Sequence, residues 1–455
     1  MGLIRSVSGV RGLVGSDVTA ETAGVYGRAF GALCCGRVAV GYDSRRGGGD
    51  LKDAVLGGLR QRGVEGLDLG VVPTPTVGIA VRELGLSGGV VVTASHNPEE
   101  YNGFKFFSSR GIFLTGDEVA RVFDLADGCV GPAAAGPPPE RWDGAAALHA
   151  ELVARSPLVD GASVAGRTPR VVVDCVNAAG SLVLPRLLRA LGCEVVEIHC
   201  DAGRPFPRGA EPVQANLGAL AARVVAERAD AGLACDPDAD RLALVDEHGR
   251  AVGEEYTLAI AADTVLRRVK GPVVANVSTS LMIEDVARSH GVPVHRTPVG
   301  EINVVARMLE VSAVVGGEGN GGVILPSVHP GRDAATAAAL VVTALSASGG
   351  ARLSELVSRF PSYAMVKRKV AASVASRAGL LDATLRAFPD GTLDDTDGAK
   401  MCWPGRWVHI RMSGTEPVVR LIAEARRPED AEDLVRRATE AVSRISEGTG
   451  PCAAS

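Results

Sequence analysis

The chain has 455 residues, of which 46% are hydrophobic and 22% charged, with a formal net charge of −5 and a pI near 6.0. This length is too great for one ordinary hydrophobic core and predicts three or four domains. The negative charge argues against nucleic acid as the main partner, and no apolar stretch approaches the roughly 20 residues that a membrane-spanning helix needs. The nine cysteines include no CxxC pair, which favours a reducing compartment, so we expect a cytoplasmic protein without a membrane partner.

A strand–helix–strand unit occurs three times in the chain. Each copy has a β-branched strand, a polar N-cap, a helical pattern of apolar residues and a glycine stop. The predicted helices are Leu51–Arg62 after Asp50, Leu182–Leu191 after Ser181, and Leu281–His290 after Ser280. Strands that alternate with single helices are typical of α/β layers. The tail differs, because predicted strands at Trp407–Ile410 and Val418–Ala423 flank a turn and precede an amphipathic helix near Glu429–Ile445.

The hexapeptide Thr93-Ala94-Ser95-His96-Asn97-Pro98 follows a run of glycine and valine that predicts a buried strand. Asn97-Pro98 then turns the chain, so Ser95 should stand at the carboxyl end of the strand, where α/β proteins bind ligands. A hydrolase nucleophile elbow would need glycine two residues either side of the serine, and the chain has Thr93 and Asn97 there. The pattern therefore indicates a serine that carries a phosphoryl group.

Three aspartates alternate in the segment Asp236-Pro237-Asp238-Ala239-Asp240-Arg241. Alternating carboxylates converge on one side of an extended or turning segment, and their hard oxygen atoms suit Mg²⁺. An EF-hand does not fit, because Arg241 stands where that loop needs glycine and the flanks look like strands rather than helices. A solvated acidic turn is the remaining alternative. Mg²⁺ usually keeps coordination for a phosphate oxygen, which a phosphorylated Ser95 would supply.

Two further loops combine glycine with polar side chains. The segment Arg411-Met412-Ser413-Gly414-Thr415-Glu416-Pro417, with Arg420 beyond it, offers backbone N–H groups, hydroxyls and guanidinium groups that suit phosphate. An ordinary hairpin turn would also explain it. The segment 316–322 packs glycines around Glu318 and Asn320, which could approach sugar hydroxyls or form a flexible turn. Two more cationic residues could contribute: Lys105 follows ten residues after Ser95, and Arg11 lies near the start of the chain.

Together these segments resemble the α-D-phosphohexomutase superfamily of phosphoglucomutases, phosphomannomutases and phosphoglucosamine mutases. The matching segments run in the family's order along nearly the whole chain: Ser8 to Gly12, Gly41 to Arg45, Thr93 to Lys105, Asp236 to Arg241, Thr297 to Gly300, Glu318 to Asn320 and Arg411 to Pro417. The resemblance implies an α/β fold of three similar mixed-sheet α/β domains and a smaller C-terminal α+β domain that closes over the substrate phosphate. We place these domains at residues 1–153, 154–252, 253–366 and 367–455.

The resemblance also implies a role for each matched residue. Ser95 would be the phosphoserine, and its phosphoryl oxygen would bind Mg²⁺ together with Asp236, Asp238 and Asp240. Arg241 would steady the phosphoryl group. Glu318 and Asn320 would hold the sugar, and its distal phosphate would be held by Arg411, Ser413, Gly414 and Thr415. The other substrate-binding residues would be Thr297, Gly300 and Arg420. The general acid and base are left open among Lys105, Arg11 and His96, and His96 is equally explained by an orienting hydrogen bond within its own turn.

The implied activity interconverts a hexose 6-phosphate and a hexose 1-phosphate through a phosphoserine enzyme. A hexose 1,6-bisphosphate is the intermediate and activator, Mg²⁺ is the cofactor, and the partner is a small sugar phosphate. Alternatives from other classes are a catalytically silent sugar-phosphate-binding protein and an unrelated Mg²⁺-dependent phosphatase. The oligomeric state does not follow from the sequence.

Two positions depart from many relatives. Gly322 and Glu301 stand where histidine is common, which puts histidine-based proton transfer there in doubt, although His329 could partly substitute. The Gly-Glu-Gly-Asn-Gly-Gly form of the sugar loop resembles the phosphoglucosamine mutase branch common in archaea. We therefore expect glucosamine 6-phosphate as the substrate, with phosphoglucomutase or phosphomannomutase activity as the alternative.

Overall fold

A computed structural model describes residues 2–133, 135–347, 349–371, 377–412 and 418–448. Within these ranges the chain forms four β-sheets of seven, four, five and five strands, each packed against helices. No helix in the described ranges combines the length and apolar character needed to cross a membrane.

The first sheet is mixed, with the strand order β1-β2-β6-β5-β3-β4-β7. Its strands are β1 (Ile4–Ser6), β2 (Gly9–Leu13), β3 (Val38–Tyr42), β4 (Gly66–Val71), β5 (Gly88–Val92), β6 (Tyr101–Ser108) and β7 (Glu140–Arg141). The helices are α1 (Ala20–Gly31), α2 (Gly48–Arg60), α3 (Thr74–Glu83), α4 (Gly116–Asp127) and α5 (Ala145–Ala154). Strand β3 runs parallel to β4 and β5, whereas β5 and β6 are antiparallel.

The second sheet has the order β11-β10-β8-β9. It follows α6 (Gly161–Arg167) and contains β8 (Arg170–Asp174), β9 (Glu194–Ile198), β10 (Ala231–Cys235) and β11 (Leu242–Asp246), with α7 (Leu184–Ala190) and α8 (Gly218–Glu227). Strand β8 is parallel to β9 and β10, and β10 is antiparallel to β11.

The third sheet has the order β13-β12-β14-β15-β16. Its elements are α9 (Glu254–Leu266), β12 (Val273–Asn276), α10 (Met282–Ser289), β13 (Val294–Thr297), α11 (Glu301–Glu310), β14 (Val315–Glu318), β15 (Gly322–Leu325), β16 (His329–Arg332), α12 (Ala334–Ala347) and α13 (Leu353–Val357). Strand β12 is parallel to β13 and β14, and β14 is antiparallel to β15.

The fourth sheet is antiparallel throughout, with the order β17-β21-β20-β19-β18. Its elements are β17 (Ala364–Ala371), α14 (Arg377–Ala387), β18 (Thr392–Asp394), β19 (Ala399–Trp403), β20 (Arg406–Met412), β21 (Val418–Ala425) and α15 (Pro428–Gly448). The prediction of three similar α/β domains and a different C-terminal domain is confirmed.

The three mixed sheets share one connection that carries the predicted chemistry. In each sheet a strand in the parallel set turns into an antiparallel neighbour: β5 into β6, β10 into β11, and β14 into β15. The loops of these three turns contain Ser95, the aspartates at 236–240, and Asn320, with Glu318 as the last residue of β14. Equivalent positions in three repeats thus contain the residues predicted to carry the phosphoryl group, the cation and the sugar.

The recurring helices form, but two of their beginnings differ from the prediction. Helix α2 begins at Gly48 rather than after Asp50, because Gly47 has a φ of 75° and the Gly48 N–H closes a turn onto the Arg45 carbonyl at 2.9 Å. The predicted helix after Ser181 is divided into a 3₁₀ turn, Ala179–Leu182, and α7. Only the third N-cap is close to the prediction, because the Met282 N–H donates to Ser280 Oγ at 3.0 Å.

The apolar core does not follow the four sheets one by one. The first sheet has separate apolar clusters on its two faces, and the fourth sheet has a cluster of its own. The second and third sheets share one cluster that runs from Ala150 to Leu356. Helix α12, whose residues are nearly all buried, packs against α5, α6, α7 and α9 and makes this core continuous.

Candidate active site

Ser95 stands in a tight loop at the carboxyl end of β5, as predicted. Its φ is +53°, a left-handed conformation that residues other than glycine adopt only when surrounding contacts impose it. The Ser95 N–H donates to Thr93 Oγ1 at 2.8 Å, and the Thr93 hydroxyl donates to Asp43 Oδ2 at 2.6 Å. The side chain is 3% exposed, and its Oγ lies 3.4 Å from Asp236 Oδ2. The loop therefore fixes the serine against the first aspartate of the triplet.

A fully buried ion pair lies beneath this loop. Arg45 Nε donates to Asp43 Oδ2 at 2.9 Å, and both side chains are inaccessible to solvent. The remaining guanidinium nitrogens donate to the Ser95 carbonyl at 2.5 Å and the Tyr101 carbonyl at 2.7 Å. Burial raises the pKa of Asp43, although Arg45 acts in the opposite direction. Asp43 and Arg45 thus hold the backbone on both sides of the serine motif.

The three aspartates form one buried cluster between β10 and β11. One oxygen from each carboxylate lies within 4.8 Å of the others. Each carboxylate also has an oxygen that accepts hydrogen bonds from the protein. Asp236 Oδ1 accepts from the Asp240 and Arg241 N–H groups, Asp238 Oδ2 from Thr74 and Lys105, and Asp240 Oδ2 from Arg332. The opposite oxygens, Asp238 Oδ1 and Asp240 Oδ1, are buried without a hydrogen-bond partner.

This distribution of partners fits a cation. Buried carboxylate oxygens without a donor cost free energy, and a hard divalent ion is the group that removes this cost. Asp238 Oδ1 and Asp240 Oδ1 have no hydrogen-bond donor, and Asp236 Oδ2 has only the long contact with Ser95, so each aspartate keeps an oxygen available for a cation. The residues present therefore fit a metal ion with Ser95 at its edge.

Lys105 and Arg332 are the two cations that contact the cluster from the protein side. Lys105 Nζ lies 2.7 Å from Asp238 Oδ2 and 3.6 Å from Asp240 Oδ2. Burial alone would raise the pKa of Asp238, but Lys105 and the Thr74 hydroxyl outweigh it and lower that pKa. Burial and the neighbouring aspartates raise the pKa of Asp236 well above its ordinary value. The cluster therefore holds several acids that a bound cation would further stabilise as carboxylates.

Arg11, His96 and Arg241 surround the serine and the aspartates. Arg11 Nη1 donates to Asn97 Oδ1 at 3.1 Å, and Arg241 Nη1 donates to Glu211 Oε1 at 3.0 Å. Nearby Arg241, burial and Arg11 lower the pKa of His96 to about 2, so that its imidazole is neutral. This surface of the cluster is therefore cationic, as an anion site requires.

The predicted sugar residues lie together in the third domain. Glu318 Oε1 accepts from Asn276 Nδ2 at 2.7 Å and from the Gly300 N–H at 3.1 Å, and Asn320 Oδ1 accepts from the Gly322 N–H at 3.2 Å. Thr297 ends β13, and its hydroxyl donates to the Pro298 carbonyl at 3.0 Å. Glu318 is joined to the aspartate cluster, because its Oε2 accepts from Arg332, which also donates to Asp240.

The predicted phosphate loop is only partly described, since Ser413, Gly414 and Thr415 lie outside the described residues. Arg411 and Arg420 are direct neighbours on β20 and β21. Arg411 lies 3.7 Å from Asp397 Oδ2, which accepts from the Val299 N–H at 3.0 Å. These contacts place β20 and β21, which carry Arg411 and Arg420, next to the loop that precedes Gly300.

The fourth domain also contacts the loop between β12 and α10. Lys400 Nζ donates to the Val277 carbonyl at 2.5 Å, and His409 Nδ1 is 3.0 Å from Ser278 Oγ. Glu424 Oε2 accepts from the Leu281 N–H at 2.8 Å. This same loop contacts the glycine-rich segment 316–322, because Thr279 Oγ1 accepts from the Gly319 N–H at 3.0 Å.

Comparison with known proteins accounts for this arrangement. Four domains described for phosphoglucomutase/phosphomannomutase match in order: domain I over residues 3–128, domain II over 149–249, domain III over 253–363 and the C-terminal domain over 365–441. The chain belongs to the phosphoglucomutase/phosphomannomutase family. It is a phosphohexomutase and therefore an isomerase, and the resemblance stated from the sequence is confirmed.

The similar proteins span the whole chain. A phosphoglucomutase/phosphomannomutase of Thermococcus kodakarensis is 38% identical over 450 residues, covering 96% of this chain and 97% of that protein. A probable phosphoglucosamine mutase of Methanopyrus kandleri is 39% identical over 456 residues, covering 97% and 100%. A crystal structure of a family protein from Burkholderia thailandensis superposes with a TM-score of 0.85 at 29% identity, covering 97% of each chain.

Within this phosphohexomutase, several residues near the site have no role in the sequence-based prediction. Asp43 and Arg45 belong to a matched segment, and their position directly after β3 was the available signal. Thr74 is remote in sequence from the aspartates, so no local pattern pairs it with Asp238. His329, by contrast, was expected to substitute partly for histidine in proton transfer. It is buried beside the backbone of Gly78 and Gly331, and burial lowers its pKa to about 3, which argues against it as a proton carrier.

Proposed function

We propose that this phosphohexomutase interconverts glucosamine 6-phosphate and glucosamine 1-phosphate through a phosphorylated Ser95. The carrying observation is the serine Oγ at 3.4 Å from Asp236 Oδ2, at the edge of a carboxylate cluster with two orphaned oxygens. A phosphoryl group on Ser95 would enter the space between that cluster and the cationic side chains of Arg11 and Arg241.

Asp238 Oδ1 and Asp240 Oδ1, which lack a protein donor, would hold Mg²⁺ together with Asp236 Oδ2, which lies beside Ser95. When bound, the ion supplies charge neutralisation for the phosphoryl oxygens. The protein's own contribution is to fix the carboxylates in advance, because Thr74, Lys105 and Arg332 each occupy the opposite oxygen of an aspartate. Little reorganisation of these side chains is then needed when the substrate binds.

The transfer breaks the P–O bond to Ser95 and forms a P–O bond to the free sugar hydroxyl. The sugar hydroxyl loses its proton, and the Ser95 oxygen gains one. We assign proton transfer at the serine side to Lys105, the buried amine that lies against Asp238 and Asp240. Arg11 and Arg241 face the transferred group and would stabilise its negative charge. The neutral His96 would orient the loop rather than donate a proton.

The bisphosphate intermediate must then turn around, so that either of its phosphates can face Ser95. Glu318 and Asn320 would bind sugar hydroxyls, with Thr297 and Gly300 completing this side of the site. Arg411 and Arg420, together with the loop that contains Ser413, Gly414 and Thr415, would bind the distal phosphate. A phosphate clamp on a separate domain suits this step, because the domain can open while the intermediate reorients.

Glucosamine is proposed as the sugar because the chain carries the Gly-Glu-Gly-Asn-Gly-Gly loop and resembles probable phosphoglucosamine mutases over its full length. Glucose or mannose phosphates are the second candidate, supported by the similar Thermococcus kodakarensis protein. Because a hexose phosphate is a soluble metabolite, we propose a cytoplasmic enzyme that acts on a small molecule and on neither nucleic acid nor membrane.

The test is a direct comparison of sugars. Purified protein is incubated with Mg²⁺, a trace of hexose 1,6-bisphosphate, and glucosamine 6-phosphate, glucose 1-phosphate or mannose 1-phosphate in separate reactions. Fastest isomerisation of the amino sugar supports the proposal, and faster conversion of glucose or mannose phosphate replaces it with the second candidate. Release of inorganic phosphate without isomerisation would support a phosphatase instead.

Two controls connect the activity to the proposed residues. Ser95→Ala should reduce turnover at least 10³-fold because the transferred group has no acceptor on the protein. Removal of divalent ions by a chelator should abolish activity, and added Mg²⁺ should restore it. Full activity of Ser95→Ala would contradict the phosphoserine mechanism, and binding of sugar phosphates without any turnover would favour a silent binding protein.

A further inference from the structure

Arg332 is a buried arginine that joins three acidic side chains from different parts of the chain. It is the last residue of β16 and is 9% exposed. Its Nη2 lies 2.5 Å from Asp240 Oδ2, its Nη1 lies 2.7 Å from Glu318 Oε2, and its Nε lies 3.1 Å from Glu301 Oε2. One guanidinium thus touches a carboxylate of the aspartate cluster, a carboxylate of the sugar loop, and an acid at the start of α11.

The contacts select one oxygen of each functional carboxylate. Arg332 donates to Asp240 Oδ2, so that Asp240 Oδ1, which is buried without a hydrogen-bond donor, stays available for the proposed cation. It also donates to Glu318 Oε2, whereas Glu318 Oε1 accepts from Asn276 and the Gly300 N–H. The orientation of both carboxylates therefore depends on the position of one planar side chain.

Glu301 and Gly322 determine where that side chain lies. Glu301 accepts from the Arg332 backbone N–H at 2.8 Å and from its Nε, so that it fixes both the backbone and the stem of the arginine. Gly322 lies against the stem, and a Cβ atom there would overlap Cδ of Arg332. Glu301 and Gly322 therefore both contact Arg332, one through hydrogen bonds and the other through close packing.

We infer that Arg332 is a positioning residue that holds Asp240 and Glu318 in a single arrangement, and that Glu301 and Gly322 are present to accommodate it. This inference rests on the proposed roles of Asp240 in cation binding and Glu318 in sugar binding. Arg332 links the two halves of the site, so that displacement of this one side chain disturbs both. A lysine cannot replace it, because an ammonium on a flexible stem lacks the planar fork that reaches three carboxylates at once.

The test separates geometry from charge. Arg332→Lys keeps the positive charge but loses the fork, and Gly322→Ala keeps every charged group but displaces the arginine stem. Arg167→Lys is the matched control: Arg167 forms an ion pair with Asp230 at 3.2 Å at the opposite end of β10 from the aspartate cluster. For each protein we would measure Mn²⁺ affinity by electron paramagnetic resonance, KM and kcat for the preferred sugar phosphate, and the melting temperature.

We expect Arg332→Lys and Gly322→Ala each to weaken Mn²⁺ binding by about 10- to 100-fold, the range found when a partner of a metal ligand is removed. KM for the sugar phosphate should rise in the same two variants, while Arg167→Lys should leave Mn²⁺ affinity and KM unchanged. A purely structural arginine would lower only the melting temperature. Mn²⁺ affinity and KM within twofold of the unmodified protein in both variants would overturn the inference, whereas an unmodified protein that binds no Mn²⁺ would overturn the proposed cation site itself.

Discussion

Replacing Arg45 by methionine tests whether the buried pair beneath the serine loop determines activity. The substitution removes the partner of Asp43, which is inaccessible to solvent, and the donors to the carbonyls of Ser95 and Tyr101. Removing one member of a buried ion pair costs about 3–5 kcal/mol, because the remaining charge is left without compensation. The carbonyl of Ser95 is buried as well, so we expect a loss near the upper end of that range.

The same substitution should reduce activity more than its effect on stability suggests. Ser95 has a φ of +53°, and the loop that imposes this conformation would lose its main side-chain support. A displacement of about 1 Å at a reacting group can cost roughly 10²-fold in rate. We therefore expect at least a 10²-fold lower kcat, together with slower incorporation of phosphate into Ser95 from a hexose 1,6-bisphosphate.

The stability loss should also depend on pH. Burial already raises the pKa of Asp43, and Arg45 opposes that effect, so removal of the arginine raises this pKa further. The folded variant then holds a proton that the unfolded chain has lost above the ordinary pKa of about 3.9. Its stability consequently falls as pH rises, and the difference from the unmodified protein should be larger at pH 8 than at pH 5.

Hydrogen exchange of β3 and β5 amides is the appropriate measurement, because a chain with several domains has no single unfolding free energy. Arg60→Met is the matched control: Arg60 is an exposed arginine of the same domain that donates to the Gly136 carbonyl at 3.1 Å. We expect a change within about 0.5 kcal/mol for the control. Protection within 1 kcal/mol and kcat within threefold of the unmodified protein for Arg45→Met would refute the reasoning.

Three further predictions concern other parts of the molecule. Gly103→Ala should destabilise the first domain by about 1–3 kcal/mol, because the added Cβ on β6 would overlap the Val10 carbonyl on the neighbouring strand β2. Unchanged amide protection of these two strands would contradict this prediction. Burial raises the pKa of Glu255 to about 8, so its contribution to stability is full below pH 4.5 and is lost as pH rises through 8. Glu255→Gln should therefore flatten the fall of the urea midpoint of unfolding between pH 6 and 9. An unaltered fall would show that Glu255 is not its source. Lys400→Met removes the donor to the Val277 carbonyl. It should raise KM for the sugar phosphate at least fivefold, because the fourth domain would dock more weakly. An unchanged KM would exclude this contact as a determinant of phosphate binding by the fourth domain.

The sequence predicted the local surroundings of the serine and the aspartates well. Ser95 follows a buried strand, and the strands predicted on both sides of the aspartate loop are β10 and β11. These features depend on short-range patterns of valine, glycine and proline that act within a few residues. The predicted beginnings of α2 and α7 were wrong. A turn at Gly47 and a 3₁₀ segment before α7 determine where these helices begin, and both depend on contacts beyond the cap residue.

The contacts between domains could not be predicted in the same way. Thr74 and Asp238 are 164 residues apart, and Arg332 and Asp240 are 92 residues apart. Nothing in the local pattern around Thr74 or Arg332 indicates its partner, because the pairing depends on how the sheets pack together. The roles given to the site residues by resemblance stay predictions, and for Ser413, Gly414 and Thr415 no geometry is described.

The continuous core around α12 has a consequence for the order in which the chain unfolds. Three repeats in the sequence suggest three units that melt independently, yet the second and third sheets share one apolar cluster. Denaturation should then proceed through fewer stages than the repeats suggest, with those two sheets lost together. The loops that carry the aspartates and Glu318 belong to this joint unit, so partial denaturation that spares one of these loops should spare the other.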